Sequence, residues 1–375
     1  MLYPFHALNR LGLDAVSALS ETFADVPVPW VRAQAALLHR ITKPYPKPVF
    51  GLGATEEVVA AHPFCRLLHF RGAGPRVLVC APLSGHHATL VRDTVAALLA
   101  DHDVYVTDWV DARDVPLADG TFSLDDYVAL LETFIRQLGD VHVVAVCQTT
   151  VPALAAVARM AAHGEPAPRS LVLMGGPIDA RVSPTVVCKL ATDHGLAWFE
   201  QMMIHAVPAA YPGAGRRVYP GFLQLTAFVL MNPDKHARAY ATYWLDQLRG
   251  DRAAARVHER FYDEYNAVLD MDAPYYLDTV RTVFQEFALA RGTWRIGGEL
   301  VEPAAITATP VFAVEGELDD ISGLGQTAAA LELCTRAPAK LHHVARGTGH
   351  YGLFSGSRWR ESVYPEVRAF IREAS

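Results

Sequence analysis

The sequence predicts an α/β fold: a mostly parallel sheet, interrupted late in the chain by a helical insertion. Three observations carry this. Short apolar runs ending in turn residues alternate with segments of helical spacing from about residue 64 to residue 179. That rhythm stops between about 180 and 300 and returns at Pro310. The runs are apolar throughout rather than at every second position, the pattern of strands covered on both faces.

Taken in order, residues 1–48 read as an N-terminal helical extension. Leu8, Leu11, Val16, Leu19 and Phe23 recur at roughly helical spacing, and the prolines from Pro44 to Pro48 break any helix. Arg76 to Leu83 (RVLVCAPL) reads as a strand that ends at proline and the Ser84-Gly85 turn. Residues 89–100 read as a helix, 103–109 as a strand and 123–138 as a helix. The strand from Val141 runs straight into Cys147. An Ala-rich helix over 151–163 and a strand from Ser170 follow. Residues 180–300 are rich in aromatics and Met and broken by Tyr-Pro-Gly turns, so they are expected to form a helical lid. A strand from Pro310, a helix over 325–336, a strand at Lys340 and a final helix over 357–373 complete the core of 49–179 and 301–375.

Composition narrows the function classes. The chain has 375 residues, 51% of them hydrophobic, which fits one large α/β domain of ~250 residues with added parts. A net charge of −7 and the lack of any Lys/Arg run exclude a nucleic-acid footprint. Cys65, Cys80, Cys147, Cys188 and Cys334 are scattered and odd in number, which argues against a disulfide framework or a zinc knuckle and for a reducing compartment. The start of the sequence shows no secretory pattern, and no apolar stretch is long enough to span a membrane. A cytoplasmic protein without cofactor or metal is expected; the oligomeric state is left open.

Three segments sit where strands end, the edge at which open α/β sheets bind their ligands. Ala145-Val146-Cys147-Gln148-Thr149 lies between a strand and a helix, the context of a nucleophile elbow. The usual G-x-S-x-G is altered: cysteine replaces serine, and Ala145 and Thr149 stand for the glycines. By itself such a cysteine reads as an inert core residue. Gly316-Glu317-Leu318-Asp319-Asp320 supplies an acid after a late strand, and Gly349-His350-Tyr351-Gly352 a histidine after the last one. Nucleophile, acid, histidine is the chain order of the α/β-hydrolases. Cys147, Asp319 and His350 are therefore the expected triad, with Asp319 preferred over Asp320. A thiol is intrinsically nucleophilic, and a paired histidine holds it as thiolate. The Gln148 N–H and the loop at Leu83 and Ser84 are the expected oxyanion donors. His86, Trp198, Met202 and Phe222 are expected at the substrate.

The chain resembles the intracellular polyhydroxybutyrate (polyhydroxyalkanoate) depolymerases of bacteria. The resemblance rests on Val146-Cys147-Gln148, Val314-Glu315-Gly316, Asp319-Asp320-Ile321-Ser322-Gly323 and Gly349-His350-Tyr351-Gly352. Gly221-Phe222, Asn232-Pro233-Asp234-Lys235-His236, Met1-Leu2-Tyr3, Lys47-Pro48 and Phe50-Gly51 extend it over nearly the whole chain. The family often has proline where this chain has Thr149. The resemblance implies hydrolysis of the storage polyester inside cells by a cysteine nucleophile, with the polymer or granule surface as partner. Alternatives are a polyester synthase or acyl-CoA thioesterase, against which the absence of a clear basic patch counts, and a non-catalytic granule-associated protein, against which the intact triad counts.

Overall fold

Val141–Val146 is buried at every position, and it lies near the middle of an eight-stranded sheet. The computed structural model describes residues 2–23 and 26–374; the side chains of residues 2–8 and Leu11 are outside that description, so Leu8 and Leu11 of the expected apolar stripe lie outside the described residues. The strands are β1 (Glu56–Ala61), β2 (Cys65–Phe70), β3 (Arg76–Cys80), β4 (Asp103–Trp109), β5 (Val141–Val146), β6 (Ser170–Met174), β7 (Val311–Gly316) and β8 (Lys340–Ala345). Their spatial order is β1-β2-β4-β3-β5-β6-β7-β8. Only β2 breaks the parallel run, pairing antiparallel with both β1 and β4. This is the α/β-hydrolase arrangement. The edge pair β1 and β2 escaped the sequence reading: β1 opens on two glutamates and is exposed along most of its length, and Arg66 and His69 interrupt the apolar residues of β2.

Apolar side chains fill both faces of the sheet. Leu78, Val143, Leu171 and Val311 pack on one side, and Val77, Val144, Val172 and Phe312 on the other, all fully buried. Helix α1 (Leu2–Thr22) forms a hairpin with α2 (Pro29–Thr42), joined by Ser17 Oγ to His39 Nδ1 at 3.1 Å. In the core, α3 (Arg92–Leu98) is shorter than expected because its first turn is a 3-10 helix. Helix α4 (Leu124–Leu138) starts with a capping box in which Ser123 and Asp126 each satisfy the other's backbone N–H. Helix α5 (Thr150–Ala162) follows β5 and is buried along nearly its whole length.

The insertion falls between β6 and β7. It carries α6 (Val186–Asp193), α7 (Leu196–Met203), α8 (Gly221–Met231), α9 (Pro233–Arg249), α10 (Arg252–Tyr265) and α11 (Ala273–Thr279). It is not purely helical: three short antiparallel strands, His205–Ala206, Arg217–Tyr219 and Met271–Asp272, form a second sheet. Buried Arg216 fastens that sheet to the core. Its guanidinium donates to the Val115, Pro116 and Gly120 carbonyls and to Asp272. Trp294, Ile296, Val301 and Ile306 are buried in one cluster with the sheet, as are Val218, Leu269 and Tyr275 of the insertion. The N-terminal hairpin packs against α9, and Arg40 and Lys43 both reach Asp263 of α10 at 2.6 Å. Among the described residues no helix is long and apolar enough to cross a membrane.

Candidate active site

Strand β5 ends at Val146 in extended conformation, and the next residue turns sharply. Cys147 has φ of +58°, a left-handed conformation that side chains with a Cβ adopt at a cost of roughly 1–3 kcal/mol. Cys147–Thr149 make one 3-10 turn and pass directly into α5. The turn lifts the thiol out of the sheet and places it before the positive end of the helix. Close packing from β6 holds the turn in place. Gly176 runs so near that a methyl group there would overlap the Thr150 hydroxyl and the Cys147 carbonyl, which are hydrogen-bonded to each other at 2.9 Å.

The elbow's missing glycines have different replacements. Ala145 is fully buried and small enough for the packing. Thr149 does more than pack. Its hydroxyl donates to the Ala81 carbonyl at 2.9 Å and accepts from Tyr127 at 3.0 Å, while Trp109 Nε1 donates to the same carbonyl at 3.0 Å. The end of β3 is thereby tied to the elbow. Proline could pack at this position but could not make that bond.

The acid and the histidine arrive on loops beyond β7 and β8. Asp319 Oδ2 accepts from His350 Nδ1 at 2.8 Å, and Asp319 Oδ1 accepts the Ile321 and Ser322 N–H groups at 2.9 and 2.8 Å. Asp320 points away and accepts from Asn232 at 3.0 Å. The loop is shaped by Glu315, a buried carboxylate that takes three backbone N–H groups, from Gly325, Thr327 and Ala328, and the His342 ring at 2.9 Å. Gly316 is needed where the two loops cross: an added Cβ would lie 2.6 Å from the Thr348 carbonyl. On its other side His350 lines the same cavity as Cys147. Burial alone would disfavour the imidazolium, but the Asp319 carboxylate and a thiolate at Cys147 outweigh it and raise His350 well above the usual histidine range. Such an arrangement can run nucleophilic acyl transfer through a thiolate–imidazolium pair.

Ser84 and Gln148 line the same cavity as the cysteine. The Leu83 carbonyl accepts from the Tyr275 hydroxyl of α11 at 3.1 Å. A trans peptide points its N–H opposite to its C=O, so this bond fixes the direction of the Ser84 N–H. His86 also lines the cavity. Burial pushes it down to about 4, so it is a neutral ring whose Nε2–H donates to the Tyr265 carbonyl at 3.1 Å.

The cavity encloses about 470 Å³ and is mostly apolar. Three residues expected at the substrate do not line it. Trp198 stacks on His194 at 4.1 Å, Met202 is exposed, and Phe222 packs against the main core. Their neighbours Phe199, Met203 and Phe228 line it instead. In α7 the shift is one residue: 199 and 203 share a helical face that 198 and 202 do not. Sequence reading missed the hydrogen-bonding roles of Tyr275, Thr149 and Glu315, and the close approach of Gly176; the last had a visible signal, a glycine pair directly after an apolar strand. Among the described residues no cluster could hold a metal ion.

Residues 175–375 match a family described as PHB de-polymerase C-terminus. No curated protein sequence matches at a significant level. Among solved structures, a monoacylglycerol lipase of Paleococcus ferrophilus is similar at 11% identity, covering 83% of this chain and 99% of that one with a TM-score of 0.49. A thermophilic esterase from Thermogutta terrifontis is 13% identical over 86% of this chain and 99% of its own, with a TM-score of 0.46.

Proposed function

Because this chain belongs to the polyhydroxybutyrate depolymerase family, with the match covering more than half its length, we propose that it hydrolyses intracellular polyhydroxybutyrate through a cysteine acyl-enzyme. That it is an ester hydrolase follows from the family; the polymer and the cysteine are the proposal. One observation carries the second point. Cys147 occupies the left-handed turn between β5 and α5 and lines one cavity with His350, whose Nδ1 meets Asp319.

In the proposed reaction the Cys147 sulfur attacks an ester carbonyl carbon, forming a C–S bond. The oxyanion is held by N–H groups of Gln148 and of the loop at Leu83 and Ser84. Collapse breaks the C–O bond, and His350 gives its proton to the departing alkoxide. The histidine, now neutral, takes a proton from water as the water attacks the thioester. The thiolate leaves, and a hydroxybutyrate monomer or oligomer is released as its carboxylate.

The test uses amorphous polyhydroxybutyrate granules and the purified protein. Soluble hydroxybutyrate should appear, and rapid quenching should trap an acyl group on Cys147 by peptide mass spectrometry. Cys147→Ala should lower the rate by roughly 10⁴–10⁶-fold with an unchanged melting temperature. Acid release that survives in Cys147→Ala would sink the nucleophile. Polymer growth from hydroxybutyryl-CoA instead of acid release would make the protein a synthase.

A further inference from the structure

A second cavity of about 650 Å³ lies between α9, α10 and the loops that carry Asp320 and His350. It is separate from the cavity that holds Cys147, yet the two share a wall made of Phe228, Met231, Ile321, His350 and Tyr351. The nucleophile opens into the first cavity only, and the histidine into both. This division has a chemical meaning. The acyl half of an ester must lie beside the sulfur and the oxyanion donors. The alcohol half must lie beside the histidine that protonates it.

From this geometry we infer that the two cavities hold one polyester chain on both sides of the scissile bond, so that the enzyme cuts internal ester bonds. The inference rests on the polyester-hydrolase reading. It also sets the direction of the chain. The hydroxyl-terminal part, being the acyl half, lies in the Cys147 cavity, and the carboxyl-terminal part lies between α9 and α10. Both volumes fall in the range of about 300–1,000 Å³ that encloses ligands far larger than one four-carbon repeat. A trimming enzyme needs one closed side to count from the chain end, and neither side is that small.

The linings differ in a way that suits such a chain. Around the nucleophile the walls are nearly all apolar, matching methyl and methylene groups. The second cavity mixes apolar Val257, Phe261 and Leu318 with polar groups, among them His258. His258 Nε2 is buried and has no hydrogen-bond partner. Burial pushes this ring down to about 4, so it is neutral, with one N–H, and its tautomer with the proton on Nε2 can donate to an ester carbonyl.

The experiment uses a synthetic hydroxybutyrate hexamer, acetylated at its hydroxyl end and methylated at its carboxyl end, beside the uncapped hexamer. Fragments are identified by mass spectrometry at early times. Cleavage of the doubly capped hexamer near its middle, at a rate within about threefold of the uncapped one, is expected. Cleavage of the uncapped hexamer alone, with monomer or dimer as the sole first product, overturns internal cutting while the hydrolase reading stands. No cleavage of either hexamer by a protein that still hydrolyses p-nitrophenyl butyrate overturns both the inference and the polyester reading. A second measurement locates the chain. Ala239→Trp, which projects from α9 into the second cavity, should lower the ratio of kcat/KM on capped hexamer to kcat/KM on p-nitrophenyl butyrate at least tenfold. An unchanged ratio in a folded variant removes the second cavity from the binding path.

Discussion

The carboxyl edge of the sheet and the insertion that covers it were built by different constraints. At the edge, three side chains from three strand ends converge: Cys147 is held by its left-handed turn, Asp319 by two backbone N–H groups, and His350 by the Asp319 carboxylate. In the insertion, the cavity wall is set by which face of α7 and α8 turns inward, and by long-range ties such as Tyr275 to Leu83. A residue at the edge therefore has no substitute, whereas a residue in the insertion shares its task with neighbours on the same face. Mutations should divide accordingly, with large losses of turnover at the edge and graded losses of binding in the insertion.

The adjacent acids give the largest contrast. Asp319→Asn should cost roughly 10⁴-fold in kcat, because a neutral amide cannot hold the imidazolium. Asp320→Asn should stay within a few-fold, since its one bond is to Asn232 at the surface. Equal losses would move the acid's role off Asp319. Proton linkage sharpens the point. With His350 raised mainly by Asp319 and Cys147 against burial, wild-type kcat/KM should persist above the ordinary histidine range near ~6.5 and fall only where the imidazolium loses its proton. Asp319→Asn should move that alkaline limb to lower pH. The stability drawn from the pair is fully present below the unfolded histidine value and is lost as pH rises through the raised folded one.

Gly176 tests whether backbone approach alone fixes the elbow. Gly176→Ala forces a methyl group against Thr150 and the Cys147 carbonyl, neither of which is a flexible end that can swing away. About 1–3 kcal/mol of stability should be lost, with activity falling by more than the unfolded fraction explains. Full activity in this variant would mean that the turn relaxes freely.

Helical phase in the insertion is tested by a pair of methionines. Met203 lines the cavity and Met202 is 53% exposed. Met203→Ala should raise KM for the polymer several-fold with little change in kcat. Met202→Ala should leave KM unchanged and stability within about 0.5 kcal/mol. The opposite ranking would restore the face expected from sequence.

The smallest effect belongs to the seam between the two regions. Asp111 of the core is pushed up to about 7, first by burial and then by the Asp270 charge of the insertion. A carboxyl raised in the folded state remains protonated there while its unfolded counterpart ionises. Stability should therefore decline as pH rises from about 4 to about 7 and level off beyond. Asp111→Asn should flatten this window by a few degrees in melting temperature. An identical pH dependence in both proteins would mean that the pair carries no shared proton.

Legibility followed the range of the determining contacts. The strand from Val141 into Cys147 and the acid after Val311–Gly316 could be read because a buried strand writes a mostly apolar run with a loop residue just beyond it. The strand Lys340–Ala345 is only partly buried, and the histidine after it could be read from its glycine-rich loop. The edge strand Glu56–Ala61 could not, because it is short, opens on two glutamates and is exposed along most of its length. Trp198, Met202 and Phe222 illustrate a second limit. Composition pointed to the right helices, but a helix presents every residue to some direction, and only packing against the core chooses the inward one.

The sequence by itself determined the α/β order, the place of the insertion and the three chemical groups in their chain order. Each is encoded within one strand and the loop beyond it. Only the tertiary structure decided that Asp319 rather than Asp320 meets His350, that Thr149 binds the end of β3 through its hydroxyl, and that two cavities share the His350 wall. Those outcomes depend on contacts between segments tens to hundreds of residues apart, where an ångström of displacement separates a hydrogen bond from none.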